Sequence, residues 1–128
     1  MPISWQTILA IGAGGFLGAI IRAYSVHFSN KYIPLDIPVG VLIVNIIGSF
    51  IIGILFAYFA HITVSESLKA FLTTGFLGAL TTYSTFAIES YLLFGTSIYL
   101  AITNILLNVF GTIISAGMGY KLIHFLLR

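Results

Sequence analysis

The residues of this sequence most able to do chemistry are uncharged hydrogen-bond donors embedded in apolar stretches. Asn45 lies in the middle of one stretch, and Asn104, Asn108 and Thr112 recur every four residues, the spacing of one helix face. Amide N–H and hydroxyl O–H groups suit a small anion that must lose part of its water and still be released quickly. A cluster of neutral hydroxyl residues completes the set: Thr81, Thr82, Ser84 and Thr85.

An aromatic pair accompanies these donors. Tyr83 and Phe86 are three residues apart, so their rings project from one side of a helix. The edge of an aromatic ring carries positive character and adds a weak contact to an anion. Taken singly, an asparagine more often makes an interhelical hydrogen bond of ~0.6 kcal/mol, and an aromatic ring more often fills a core. Their concentration around one segment favours an ion pathway.

Composition excludes several other chemistries. The chain has no cysteine, which excludes disulfides, thiolate catalysis and cysteine-ligated metals. The net charge of +2 is too small to indicate a nucleic-acid partner. A glycine-rich run at 12–18 resembles a dinucleotide loop, but it lies inside an apolar stretch with no preceding strand. We therefore do not expect a dinucleotide-binding site.

Membrane helices must position these donors. Hydrophobic residues make up 59% of the 128 positions and charged residues 6%, which leaves too little polar surface for a soluble protein. The sequence predicts an all-α, multi-pass integral membrane protein surrounded by lipid. It forms one transmembrane domain over 1–128, with four spans at about 3–24, 37–60, 66–94 and 98–125. The first run has no basic leading segment, so we expect a retained span rather than a signal peptide.

The third span contains the features of a broken helix. Gly75, Gly78 and the hydroxyl run 81–85 all weaken helical bonding near its middle. We expect a break near 78–83, with half-helices at about 66–77 and 84–94. Freed backbone groups are tolerated at membrane depth where they are buried in protein or line a wet cavity, so the break indicates an ion or solute site. The alternative is a continuous helix whose hydroxyls bond back to their own carbonyls.

The positive charges are divided almost evenly between the two sides of the membrane. With four spans, Lys69, Lys121 and Arg128 lie on one side, and Arg22 and Lys31 on the other. Orientation is therefore weakly specified. This balance predicts an antiparallel, dual-topology homodimer with its two-fold axis in the membrane plane. A single orientation set by other features is the alternative.

Small residues recur at helical spacing in two spans. Gly14 and Gly18 form a GxxxG pattern in the first, and Gly111, Ser115 and Gly119 form a stripe in the last. Such stripes let membrane helices approach closely. They predict helix–helix packing surfaces and carry no information about the solute.

Three sequence blocks resemble the signature blocks of the Fluc/CrcB family of fluoride channels. They are 14–22 (GGFLGAIIR), 40–50 (GVLIVNIIGSF) and 74–86 (TGFLGALTTYSTF), and the third is highly specific. The resemblance covers the whole chain in length, span count and order. It implies a dual-topology homodimer in the cell inner (plasma) membrane, with two antiparallel pores through which fluoride leaves the cell passively.

The resemblance also implies roles for individual residues. The break would hold a structural sodium ion through the backbone carbonyls of Gly78 and Thr81 from both subunits. Arg22 would lie near the membrane surface or a vestibule, where it attracts anions or anchors the helix. Tyr83 stands where the family usually has phenylalanine, which changes the ring-edge contact there. The implied fluoride pathway comprises Asn45, Tyr83, Ser84, Thr85, Phe86, Asn108 and Thr112, with Asn104 as a further candidate.

Two other functions fit parts of the sequence. A small dual-topology multidrug exporter also has four spans and a similar length, but it would need a carboxylate in the middle of the first span. Residues 3–21 contain no carboxylate. A structural subunit without transport activity would not need the polar constellation at 45, 81–86 and 108–112. We therefore expect a fluoride-selective channel and not an enzyme.

Overall fold

The computed structural model describes residues 2–128, and its regular elements in that range are all helices. We label them α1 (Trp5–Tyr32), α2 (Val39–His61), α3 (66–80), α4 (Ser84–Phe94) and α5 (Ile98–Leu126). Helix α3 changes character along its length. It begins as an α-helix (Glu66–Ala70), continues as a π-helix (Phe71–Leu77) and ends with one α-helical turn (Gly78–Leu80).

Three of these helices, α1, α2 and α5, are long and apolar enough to cross a membrane. Most large apolar side chains outside a small cluster around Val44, Leu77 and Leu80 are exposed. Such a surface suits lipid rather than water. The prediction of an all-α membrane protein is confirmed at this level.

Helix α1 is longer than the span predicted at 3–24 and continues to Tyr32. The segment 29–32, expected in a loop, completes the helix because the Ile33 N–H donates to the Ser29 carbonyl at 2.9 Å. Asn30 also accepts a 2.8 Å hydrogen bond from the Gly40 N–H, which ties the end of α1 to the start of α2. The other predicted ends, at 37–60 and 98–125, lie within two residues of the observed helices.

The break lies at 81–83, inside the predicted window. Thr81 is extended (φ −87°, ψ 155°), whereas Gly78 is helical (φ −62°, ψ −31°). The first half-helix was expected to end at residue 77, and this was wrong by one turn. It reaches Leu80 because both the N–H and the hydroxyl of Thr81 still donate to the Leu77 carbonyl, at 3.0 and 2.8 Å. The second half-helix is α4, with the predicted bounds.

Glycines bring the helices into backbone contact at the predicted stripes. A Cβ added to Gly14 or Gly18 would collide with the carbonyls of Phe71 and Phe76. Helix α1 is thus pressed directly against the π-helical part of α3. At Gly119 an added Cβ would collide with the Phe50 carbonyl, so α2 and α5 are equally close.

Candidate functional site

One side chain of α2 replaces the helical bonding that is lost at the break. The Thr82 N–H donates to Asn45 Oδ1 at 2.8 Å, and Asn45 Nδ2 donates to the Thr82 carbonyl at 3.0 Å. Both residues are buried. In a continuous helix the Thr82 N–H would instead reach the Gly78 carbonyl. Asn45 thereby satisfies two backbone groups that would be costly to leave unpaired at this depth.

Three asparagines and a serine form a continuous series of side-chain hydrogen bonds, which we call the amide relay. Asn45 Nδ2 donates to Asn108 Oδ1 at 3.1 Å, and Asn108 Nδ2 donates to Asn104 Oδ1 at 3.2 Å. Asn104 Nδ2 then donates to Ser90 Oγ at 2.9 Å. All four residues are buried. The relay joins α2, α5 and α4 through neutral groups alone.

Ser90 was missed by the sequence analysis. It lies four residues after Phe86, so the two residues share the inner face of α4, and both are buried. That spacing was the available signal. A lone serine beside Glu89 near the end of a span was not otherwise distinctive.

A cavity of about 340 Å³, here called the main cavity, adjoins the break. It brings together residues predicted from three separate segments. Ser49, one turn after Asn45, is a further polar lining residue that the sequence analysis did not single out. The predicted residues that line the main cavity are Asn45, Thr81, Thr82, Tyr83, Phe86, Asn108 and Thr112.

The aromatic pair meets edge to face at this cavity. The ring centroids of Tyr83 and Phe86 are 5.3 Å apart, with an interplanar angle of 73°. Their environments differ sharply, because Phe86 is 6% exposed and Tyr83 is 78% exposed. The pair therefore has one ring fixed in the protein and one ring at its surface.

The hydroxyls of the break do not all face the main cavity. Thr82 Oγ1 accepts a 3.3 Å hydrogen bond from the Thr85 N–H, which caps the start of α4. Ser84 is exposed, with its Oγ 3.4 Å from Thr82 Oγ1. Among the described residues, Ser84 and Thr85 are not part of the main cavity lining. Thr112 does line it, and its hydroxyl donates to the Asn108 carbonyl at 2.6 Å.

Arg22 lines another cavity, of about 420 Å³, together with Thr82 and Thr85. Thr82 borders both this Arg22 cavity and the main cavity. The break therefore separates a compartment that contains a cationic side chain from one lined by neutral donors and aromatic rings.

The carbonyls of Gly78 and Thr81 are released from helical bonding. The Thr82 N–H, which would bond Gly78, is taken by Asn45, and the Thr85 N–H, which would bond Thr81, is taken by Thr82 Oγ1. Both residues also line a small cavity of about 190 Å³. A Cβ added to Gly78 would meet only the Thr73 carbonyl, at 3.5 Å, so the described part of the chain leaves space there.

An apolar helical exterior around a buried neutral relay and a broken helix defines a multi-pass integral membrane protein. A family model described as CrcB-like protein, Camphor Resistance (CrcB), matches residues 9–120. The chain therefore belongs to the CrcB family, and the resemblance seen in the three sequence blocks is confirmed.

Similar proteins cover nearly the whole chain. One from Sulfurimonas denitrificans, named fluoride-specific ion channel FluC, is 58% identical over 128 residues, which is 98% of this chain and 99% of the relative. A protein of the same name from Nautilia profundicola is 46% identical, covering 98% of this chain and all of its own length (100%). Another from Campylobacter jejuni is 48% identical over 116 residues, or 90% of this chain and 95% of the relative. Relatives named as ion channels agree with the prediction that the chain is not an enzyme, and with a location in the inner membrane of bacteria.

Proposed function

We propose that this chain is a fluoride-selective passive channel that lets fluoride leave the cytoplasm. The observation that carries the proposal is the amide relay beside the main cavity, where Asn45, Asn108 and Phe86 present neutral donors and a ring to one space. The names of the relatives point to the same ion.

The relay explains how such a site would bind fluoride without trapping it. Asn45 Nδ2 already donates to Asn108 Oδ1 at 3.1 Å. An entering anion would exchange that neutral hydrogen bond for a stronger, charge-assisted one. Because the new hydrogen bond replaces an existing one, the net gain in binding free energy is small. Conduction requires this balance, in which each site is favourable enough to enter and weak enough to leave.

The aromatic pair would supply the next contacts. Phe86 is held in place by burial, so the position of its ring edge is fixed at the cavity. Tyr83 adds a phenolic O–H, a hydrogen-bond donor that phenylalanine lacks. The anion would pass both rings after leaving the relay.

A second copy of the chain, inserted antiparallel, would complete the pathway, with four spans in each subunit. Two observations support this assembly. Tyr83 borders the main cavity and is nevertheless 78% exposed, so one wall of that space is open to another molecule. The division of Lys and Arg, three against two, permits insertion in both orientations.

A structural sodium ion is proposed at the centre of this dimer. The Gly78 and Thr81 carbonyls have lost their helical donors to Asn45 and Thr82, and carbonyl oxygens are suitable ligands for a hard cation. Carbonyls from both subunits would hold the ion. Its contribution would be to neutralise freed carbonyl dipoles at mid-membrane and to fix the two breaks against each other.

Fluoride efflux from proteoliposomes, followed with a fluoride electrode, tests the proposal. We expect rapid fluoride release when a potassium gradient and a potassium ionophore drive efflux. Vesicles loaded with chloride instead should release little chloride, as measured with a chloride electrode. Release of a cationic dye in place of fluoride would favour the multidrug exporter. No release of either solute from a folded protein would favour a structural subunit.

A further inference from the structure

Two histidines at the carboxyl ends of α2 and α5 take no part in the proposed fluoride pathway. The ring centroids of His61 and His124 are 5.9 Å apart, at an interplanar angle of 61°. Both residues are exposed. They lie at the same end of two parallel helices, outside the main cavity.

Helix packing fixes this pairing. Asn45 and Asn108 are in contact 63 positions apart, and Gly53 meets Ala116 at the same separation. His61 and His124 repeat that separation, eight residues further along each helix. Because the Gly53 backbone rests directly on the Ala116 carbonyl, the two helices cannot slide or separate freely at this point. The close approach of the two helices therefore brings His61 and His124 next to each other at the helix ends.

The hydrogen bonding of His61 prepares it to act as a ligand. Its Nδ1 lies 2.8 Å from the Ala57 carbonyl, which can only accept, so Nδ1 carries the proton. Nε2 of the neutral ring is then left with a free lone pair. A histidine that binds a metal usually donates its other ring N–H to a carbonyl or carboxylate in this way. His124 is oriented by stacking on Tyr120, with centroids 6.3 Å apart and an interplanar angle of 12°.

We propose that His61 and His124 form a binding site for one divalent transition-metal ion of the zinc class. With metal–nitrogen bonds of about 2.0–2.1 Å, two imidazoles on one ion place their ring centres about 5–6 Å apart, which matches the observed spacing. Water completes the coordination, since the site faces solvent. Lys121, one turn before His124, carries a positive charge that repels a metal cation. Binding is therefore weaker than in a structural site with four protein ligands.

Zinc titration calorimetry on the intact, detergent-solubilised protein with its purification tag removed tests the proposal. We expect saturable binding of one Zn²⁺ per chain. His61→Phe and His124→Phe keep a planar ring for packing but remove the lone pair, and each is expected to weaken binding at least tenfold. His27→Phe, in α1, is the matched control and is expected to bind as the wild type does.

Two outcomes would overturn the proposal. One is a wild-type isotherm without saturation, and the other is unchanged affinity in either phenylalanine variant, which would leave only a stacked pair of rings. Elution by gel filtration establishes that each variant is folded. His61→Gln and His124→Gln, which keep polarity, replace any phenylalanine variant that aggregates, and the same tenfold loss is expected.

Discussion

Asn45 bonds both backbone groups of Thr82, at 2.8 and 3.0 Å, and so a side chain of α2 takes the place of one turn of α3. The same amide also donates to Asn108. One residue thus stabilises the break and starts the amide relay. A substitution at Asn45 therefore changes the break and the proposed fluoride pathway together, so stability and flux have to be measured separately for each variant.

Asn45→Ala and Asn45→Asp are expected to reduce fluoride efflux for different reasons. Both lose the donor to the Thr82 carbonyl, and an unpaired buried polar group costs about 1–3 kcal/mol of stability. Only the aspartate adds a negative charge that repels an entering anion. We expect lower thermal stability in both, and a greater loss of flux per folded protein in Asn45→Asp. Wild-type efflux in both variants would remove Asn45 from the pathway.

Phe86→Ile is expected to cut fluoride efflux sharply, because it removes a buried ring edge at the main cavity while keeping an apolar side chain of moderate size. Tyr83→Phe is the matched change at the neighbouring ring and is expected to remain active, since its ring edge is kept. Chloride should remain a poor permeant in both. Efflux at the wild-type rate from a folded Phe86→Ile protein would contradict the assigned pathway.

Much of the fold could be predicted because it depends on local signals. Ser65 and Ser97 cap α3 and α5 by accepting hydrogen bonds from the N–H groups of Leu68 and Leu100, as serine commonly does at the start of a helix. The run of hydroxyl residues at 81–85 predicted the position of the break in the third span. The π-helical segment Phe71–Leu77 could not be predicted, because it accompanies contacts with Gly14 and Gly18 of a distant helix.

The candidate site was predictable as a set of residue types but not as a geometry. Asn45, Phe86 and Asn108 do meet at one cavity. The exposure of Ser84 was not foreseen, because moving the start of a helix by one residue turns each side chain towards a different side. Nor did the sequence indicate that Asn45 would bond backbone as well as side chains, because that depends on where the break falls relative to α2.

Gly48→Ala is expected to disturb the break. The added Cβ would collide with Cγ2 of Thr81, whose hydroxyl bonds the Leu77 carbonyl. Overpacking of this kind costs about 1–3 kcal/mol. Gly117→Ala is the control, because a Cβ there meets nothing within 4 Å in the described part of the chain. Both changes gain the same helix propensity. Equal melting temperatures for the two variants would contradict the expected collision.

Gly78→Leu tests the proposed sodium site and the approach of two breaks. Gly78 is exposed, and a Cβ added there would make only an ordinary contact with the Thr73 carbonyl at 3.5 Å, so the substitution is expected to spare the fold of one subunit. We expect it to abolish flux, because leucine would keep the two sets of carbonyls apart. Gly12→Leu is the control for the effect of added bulk, because a Cβ at Gly12 meets nothing within 4 Å among the described residues. A fully active Gly78→Leu protein would contradict the proposed sodium site. Sodium depletion should also weaken fluoride transport, provided that the bound ion exchanges with the solution.

Antiparallel assembly predicts that any one loop is found on both sides of the membrane. The natural chain has no cysteine, so Thr63→Cys, in the exposed loop between α2 and α3, provides a unique label. Half of the molecules should react with an impermeant maleimide added to whole cells, and the other half only after permeabilisation. Asp36→Cys, in the exposed loop between α1 and α2, is the matched probe of the opposite face and should behave identically. If instead the two cysteines react from opposite sides, each from one side only, the chain inserts in a single orientation and the antiparallel dimer is wrong.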